Sequence, residues 1–251
     1  MLVTARDNAV LRITLNRPAK RNALHPDLIQ DLNEVLTAAD NDSSLNVLVI
    51  TGAGTTFCSG LDLVQLSSLA ADERVRYMGT FFSLLSQVYR LRQPVIAAVN
   101  GPAIAGGFDL AAFCDLRLCS TTATFAQTEM LLGITQVIHP LYKVIGLGRA
   151  KELALTATPI DASEAYRIGL VSRKCQPKEL MTVAMTLAQT LAARSRMTLF
   201  ETKRLSRDVI DLDTEAAMNR MFEAISDRLK SEEHVQAIQN YIAGLKHSGS
   251  I

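Results

Sequence analysis

Asp109 and Glu129 stand where carboxylates could work as an acid–base pair. Asp109 lies in "GPAIAGGFDLAAFCD", residues 101–115, which is otherwise almost wholly apolar, and Glu129 follows in "FAQTEMLLGI". A carboxyl group in apolar surroundings keeps its proton to higher pH, so two of them can divide the parts of general acid and general base. Both residues also have plainer uses. A buried Asp can be satisfied by backbone N–H groups or can cap a helix, and a Glu at a helix start is favoured by the helix dipole.

Two glycine-bearing segments could supply the complementary electrophilic help. "TFCSGLDL" follows the apolar run "NVLVITG", and "NGPAIAGGFDL" follows "PVIAAV". Each sets small residues and glycine before an expected helix start. The first N–H groups of a helix lack internal partners, and glycine lets an oxygen approach them closely. In this reading Gly106 presents its N–H to a substrate oxygen, with Asp109 one turn further on. Two such N–H groups aimed at one oxygen form an oxyanion hole. Glycine-rich strand-to-helix turns also serve tight packing alone. The spacings match neither a phosphate-binding P-loop nor the dinucleotide fingerprint.

The elements that must carry these residues read as an α/β chain. "LVTARDNAVLRITLN" alternates around a turn like a hairpin, and "HPDLIQDLNEVLTAAD" has helical spacing with Pro26 in its first turn. "NVLVITG", "PVIAAVNG" and "CDLRLCS" are continuous apolar runs, as expected of strands buried on both faces. "DERVRYMGTFFSLLSQVYRLRQ" is helical, and "DASE" at residues 161–164 has the form of a capping box. After about Pro177 only amphipathic helices follow. Alternating strands and helices indicate crossover connections, with a helical appendage at the C-terminal end.

Bulk properties narrow the function. With 251 residues, 48% hydrophobic content and a net charge of +1, the chain has a sizeable core and no electrostatic basis for nucleic-acid binding. Cys58, Cys114, Cys119 and Cys175 form no CxxC pair, which suits small buried side chains in a reducing, cytoplasmic setting. The N-terminus lacks the form of a secretory signal, and "SGSI" at the C-terminal end matches no targeting signal. Residues 94–114 approach membrane length, but Pro, Gly, Asn100 and Asp109 interrupt them, so they read as core and not as a membrane span.

"ITLNRPAKRNAL", "FCSGLDL" and "PVIAAVNGPAIAGGFDLAAFCDLRLCSTTATFAQTEMLLGI" resemble, in order, the N-terminal, first oxyanion and central signatures of the crotonase superfamily, the enoyl-CoA hydratases and isomerases. The resemblance covers nearly the whole chain. It implies an α/β crotonase-like (ClpP/crotonase) spiral of ββα units over residues 1–192. A C-terminal helical trimerisation region over 193–251 would complete it, with trimers commonly pairing into hexamers. It also implies an acyl thioester of coenzyme A as substrate, an enolate intermediate, no metal and no separate cofactor. By position, Leu61 and Gly106 would donate the oxyanion N–H groups, and Asp109 and Glu129 would be the two hydratase carboxylates. Arg21, Ala23 and Leu24 would border the coenzyme A, with Arg21 at a phosphate. Lys203 or Lys246 would add charge there, a solvated surface being the other reading of both.

Two departures from the family pattern bear on activity. Hydratases usually carry Glu where this chain has Asp109. Dienoyl-CoA isomerases have Asp there, but they add a second Asp at the position of Val137. Where hydratases have a small turn near "PGAGG", this chain has Gln136, Val137, Ile138 and His139. These bulkier residues should reshape the acyl pocket. His139 could face the substrate or simply begin a helix before Pro140. The resemblance therefore implies a hydratase adding water across a trans-2-enoyl-CoA. Its alternatives are a double-bond isomerase in which Glu129 shuttles the proton, and an acyl-CoA-binding protein of the same fold without chemistry.

Overall fold

A computed structural model describes residues 1–247, and of those the side chains of 244, 246 and 247 are not described. The C-terminal "SGSI" therefore lies outside the described residues, as does the side chain of Lys246. The chain divides into two compact units, Met1–Arg194 and a second beginning at Ser195.

The first unit is built on a sheet whose strands the apolar runs supply. β1 (Leu2–Asp7) and β2 (Val10–Leu15) form the expected hairpin, with Asn8 at φ 52° in its turn. α1 (Pro26–Asn41) crosses over to β3 (Val47–Gly52), which pairs parallel to β2. α2 (Leu63–Ser68) and α3 (Ala71–Arg90) lead to β4 (Val95–Val99), parallel to β3. A short β5 (Ala103–Ile104) precedes α4 (Gly106–Phe113), and β6 (Leu116–Ser120) returns beside β4. Residues 94–114 are thus strand and helix within the core, and no helix among the described residues is long and apolar enough to cross a membrane.

The remaining elements of this unit are short. β7 (Thr124–Ala126) pairs with β5, and a 3₁₀ turn covers Glu129–Leu132. α5 (Leu141–Ile145), α6 (Leu147–Thr156), β8 (Ile160–Asp161) and α7 (Ala162–Arg167) follow. β9 (Arg173–Cys175) completes the main sheet, in the order β1-β2-β3-β4-β6-β9, and α8 (Leu180–Ala192) closes the unit. β5, β7 and β8 form a second, three-stranded sheet. At α7 only half of the expected capping box forms. Asp161 accepts from the Glu164 N–H at 2.8 Å, while the Glu164 carboxylate turns to Arg167 and Arg149.

All six residues of β3 and all five of β4 are buried, because helices cover both faces of the sheet. Leu48, Ile50, Val95, Ala97 and Val99 share one apolar cluster with Leu28, Leu32 and Leu36 of α1 and Leu84 and Val88 of α3. Val47, Val49, Ile96 and Ala98 alternate to the opposite face. There α8 lies on β3 and β4, burying Leu180, Ala184 and Ala188 at one-turn spacing. Each fully buried Leu or Ile contributes roughly 1.5–3 kcal/mol, so this packing holds the strand ends, and the loops that leave them, in place.

The second unit holds α9 (Arg196–Asp208), α10 (Thr214–Leu229) and α11 (Glu232–His247). Met218, Phe222, Ile225 and Leu229 form an exposed apolar stripe along α10. Lys203, which the sequence left as a solvated surface residue or a phosphate partner, is buried, with 7% of its surface exposed.

The close approach of residues 58–61 to 103–107 depends on glycine. A Cβ added to Gly107 would stand 2.2 Å from the Cys58 carbonyl oxygen and 2.7 Å from its carbon. Backbone cannot yield as a side-chain tip can, so Gly107→Ala should destabilise the fold by about 1–3 kcal/mol. Thermal unfolding should show this as a Tm fall of roughly 3–9 °C. Gly79→Ala, on α3 with nothing within 4 Å of the added carbon, should leave Tm unchanged or raise it.

Candidate active site

The two glycine segments meet at main-chain level. Cys58 bridges to Ala103, and the Ile104 N–H donates to the Cys58 carbonyl at 2.9 Å. Gly60, at φ +86°, lies against the second segment, where a Cβ on it would be 3.0 Å from the Gly106 nitrogen. Leu61 follows directly, and both Leu61 and Gly106 line a cavity of about 870 Å³ in the first unit. Among the described residues, neither the Leu61 nor the Gly106 N–H has a hydrogen-bond partner.

The two amides are left free for different reasons. Gly106 is the first residue of α4, so no carbonyl of an earlier turn faces its N–H. Ala105 before it adopts φ 50°, ψ −127°, a costly conformation for a residue with a Cβ. It is held there because its own N–H donates to the Ala126 carbonyl at 2.8 Å. The helix expected after this segment begins at Leu63, so Leu61 lies before it. Asp62 caps α2, and Leu61 precedes that cap. What holds Leu61 is a clamp on both neighbours. The Leu24 N–H donates to the Gly60 carbonyl at 2.8 Å, and the Asp62 N–H donates to the Tyr77 hydroxyl at 3.1 Å. Tyr77 in turn donates to the Leu24 carbonyl, and burial pushes its hydroxyl pKa up to about 12. Arg17 secures Asp62 with an ion pair at 3.1 Å.

Asp109 and Glu129 line the same cavity. Asp109 is 2% exposed, in the first turn of α4. Its Oδ1 accepts from Gln127 Nε2 at 3.2 Å, while its buried Oδ2 has no partner among the described residues. Backbone N–H groups do not satisfy this carboxylate, as a purely structural Asp would require. Burial first, and the facing Glu129 carboxylate second, hold its pKa well above the ordinary range, against the lowering effect of Gln127. Glu129 opens the 3₁₀ turn and is 9% exposed, and its Oε2 accepts from Gln136 Nε2 at 2.7 Å.

The other sequence candidates divide. Arg21 and Ala23 line the cavity, joined by Lys20, whose contribution the sequence reading missed. Leu24 does not line it. Its side chain is wholly buried and its carbonyl is taken by Tyr77, so it supports Leu61 from behind. Val137 lines the cavity, whereas Gln136 and His139 do not. The His139 ring packs edge-on to Tyr89, Phe113 and Tyr142, with centroids 5.7, 6.2 and 6.0 Å away, so it does not face a substrate in the cavity. Met78, Phe81 and Phe82 of α3 supply apolar wall. Among the described residues, no three His, Cys, Asp or Glu side chains cluster as metal ligands would.

The geometry therefore joins two free amides, two carboxylates, an apolar wall and two basic side chains. Known proteins resemble the chain throughout. The family model described as "Enoyl-CoA hydratase/isomerase" matches residues 5–246. A short-chain-enoyl-CoA hydratase of Clostridium acetobutylicum is 33% identical over 99% of this chain and 97% of its own length. A peroxisomal Delta(3,5)-Delta(2,4)-dienoyl-CoA isomerase of Arabidopsis thaliana is also 33% identical, over 81% of this chain and 80% of its own. The crystal structure of an enoyl-CoA hydratase from Bacillus anthracis superposes with a TM-score of 0.94 at 28% identity, covering 97% of this chain and 96% of that one.

The protonation of Asp109 carries a stability signature. Its carboxyl binds a proton more tightly folded than unfolded, so the folded state is favoured below the ordinary carboxylate pKa. That stability is lost as pH rises from there towards the folded value. Asp109→Asn removes the titration and keeps an oxygen for Gln127. The variant should gain on the wild type by a margin in Tm that widens as pH rises above the ordinary carboxylate pKa. Thermal melts across that range check it, and a margin that shrinks with pH contradicts the assignment.

Proposed function

Because this chain belongs to the enoyl-CoA hydratase/isomerase family and has its crotonase-like α/β fold, we propose that its cavity binds a trans-2-enoyl thioester of coenzyme A and adds water across the double bond. The observation that carries the proposal is the pair of amides, Leu61 and Gly106, that have no partner among the described residues and stand on the cavity wall that also presents Asp109 and Glu129. The thioester oxygen accepts from both N–H groups. As the water oxygen bonds to Cβ, the π electrons move through Cα onto that oxygen, and the donors stabilise the charge where it develops. A proton of the water passes to Glu129 and from there to Cα, restoring the carbonyl. The Oδ2 of Asp109 holds the water during attack. The step moves protons and electron pairs with no net change of oxidation state, so it calls on no redox group.

Lys20 and Arg21 offer charge to the coenzyme A phosphates, and Met78, Phe81, Phe82 and Val137 enclose the acyl chain. Self-association as a trimer or hexamer is proposed through the α10 stripe of Met218, Phe222, Ile225 and Leu229. A monomeric mass by light scattering at working concentration would contradict it.

Isomerisation is the competing reading, favoured by the Asp109–Glu129 combination and by the likeness to a dienoyl-CoA isomerase. Absorbance assays on crotonyl-CoA and on a 3-enoyl-CoA separate the two. The wild type should consume crotonyl-CoA, and Glu129→Gln should lower kcat by about 10²–10⁴ with little change in KM. Turnover of the 3-enoyl substrate alone would establish the isomerase. Tight binding of both esters without turnover would establish the non-catalytic reading.

A further inference from the structure

One hydrogen bond in the site comes from the segment in which this chain departs from the small hydratase turn. Gly133, at φ 69°, ends the 3₁₀ turn, and the Ile134 N–H donates back to the Glu129 carbonyl at 3.0 Å. This reversal brings Gln136 beside Glu129, where its Nε2 donates to Oε2 at 2.7 Å. Glu129 lines the cavity and Gln136 does not, so the bond is made from outside the cavity wall. The Oε1 of Gln136 is buried with no partner among the described residues. A buried amide oxygen without a donor costs stability, so the side chain is not placed there for stability alone.

Resting on the proposed hydration, we propose that Gln136 is a positioning residue that determines specificity: by occupying Oε2 it leaves Glu129 one working oxygen, Oε1, and so favours hydration over double-bond migration. In hydration the water is held at Cβ and gives a proton to Oε1, which protonates the adjacent Cα. Asp109 shares the work by holding the water. Migration of a 3-enoyl thioester makes a different demand. A proton leaves Cα for the carboxylate, the electron pair spreads into a dienolate, and the same proton returns at Cγ, about 2.5 Å from Cα by ordinary bond geometry. One carboxylate spans that distance by using both its oxygens or by swinging. The Gln136 bond takes one oxygen and restrains the swing.

The test measures kcat and KM for crotonyl-CoA hydration and for trans-3-hexenoyl-CoA isomerisation in the wild type, Gln136→Met and Gln136→Leu. Both variants keep bulk and lack the donor, and either one that folds by circular dichroism is sufficient. The ratio of isomerisation kcat to hydration kcat should rise about tenfold, with KM for crotonyl-CoA within about twofold of wild type. Both rates falling together with an unchanged ratio, a change confined to KM, or failure of both variants to fold would each make Gln136 merely structural and overturn the inference. A wild type that does not hydrate crotonyl-CoA would instead overturn the proposed function, and the inference with it.

Discussion

Everything at this site depends on two stretches of main chain touching without side chains between them. Gly107 lets the Cys58 carbonyl come within a distance that any Cβ would forbid, and Gly60 lies against the Gly106 nitrogen. Hydrogen bonds between the stretches are made at Cys58 and Ile104 and then stop. Beyond that point the Leu61 and Gly106 amides emerge with no partner among the described residues. A main-chain N–H left without a partner is a cost that folds normally avoid. Here it is sustained by neighbours that are over-determined: Ala105 by Ala126, Gly60 by Leu24, Asp62 by Tyr77 and Arg17. The strain at Ala105, about 1–3 kcal/mol for such a backbone, belongs to the same arrangement, because it turns the chain from β5 into α4 at the residue whose N–H must face the cavity.

The carboxylates add a second constraint, which is electrostatic. Two acidic groups facing one another in a buried wall cannot both ionise freely. Asp109 is the more deeply set, within a helix whose residues from Gly106 to Ala112 are all buried, and its Oδ2 has no hydrogen-bond partner among the described residues. Glu129 starts a short turn and receives a full amide donor. The two acids are therefore inequivalent before any ligand arrives. A reaction that must hold a water and relay a proton calls for that inequivalence.

Much of this could be read from residue order. The continuous apolar runs gave β3, β4 and β6, the 3.6-residue spacing gave α1 and α3, and Asp109 and Glu129 drew notice as acids in apolar surroundings. The free amide of Gly106 followed from its place at a helix start. Leu61 did not, since its segment begins no helix at that residue, and only its match to a family signature singled it out. Leu24 and His139 stay off the cavity wall for a common reason. A motif marks the neighbourhood of a ligand, but the side-chain direction at each position is set by tertiary contacts, here the bridge to Leu61 and the aromatic cluster of Tyr89, Phe113 and Tyr142. Tyr77, Gln127 and Lys20 went unnoticed. An uncharged side chain mid-helix, an amide beside a strand and one more exposed cation have no spacing rule that flags them.

The segment after Gly133 shows most clearly why bulk alone is a poor guide to consequence. Its large residues suggested a reshaped pocket, yet of Gln136, Val137 and His139 only Val137 reaches the cavity. The Val137 carbonyl accepts from Gln127 Nε2 at 2.8 Å, and the same nitrogen donates to Asp109. The preceding residue, Gln136, donates to Glu129. Two consecutive positions thus brace the two acids, one through a carbonyl and a shared amide, the other directly. A glycine at position 136 could not supply that side-chain donor, and greater backbone freedom at 137 would loosen the carbonyl that Gln127 grips. The departure from the small turn therefore acts first on the orientation of the carboxylates and only second on the shape of the acyl pocket.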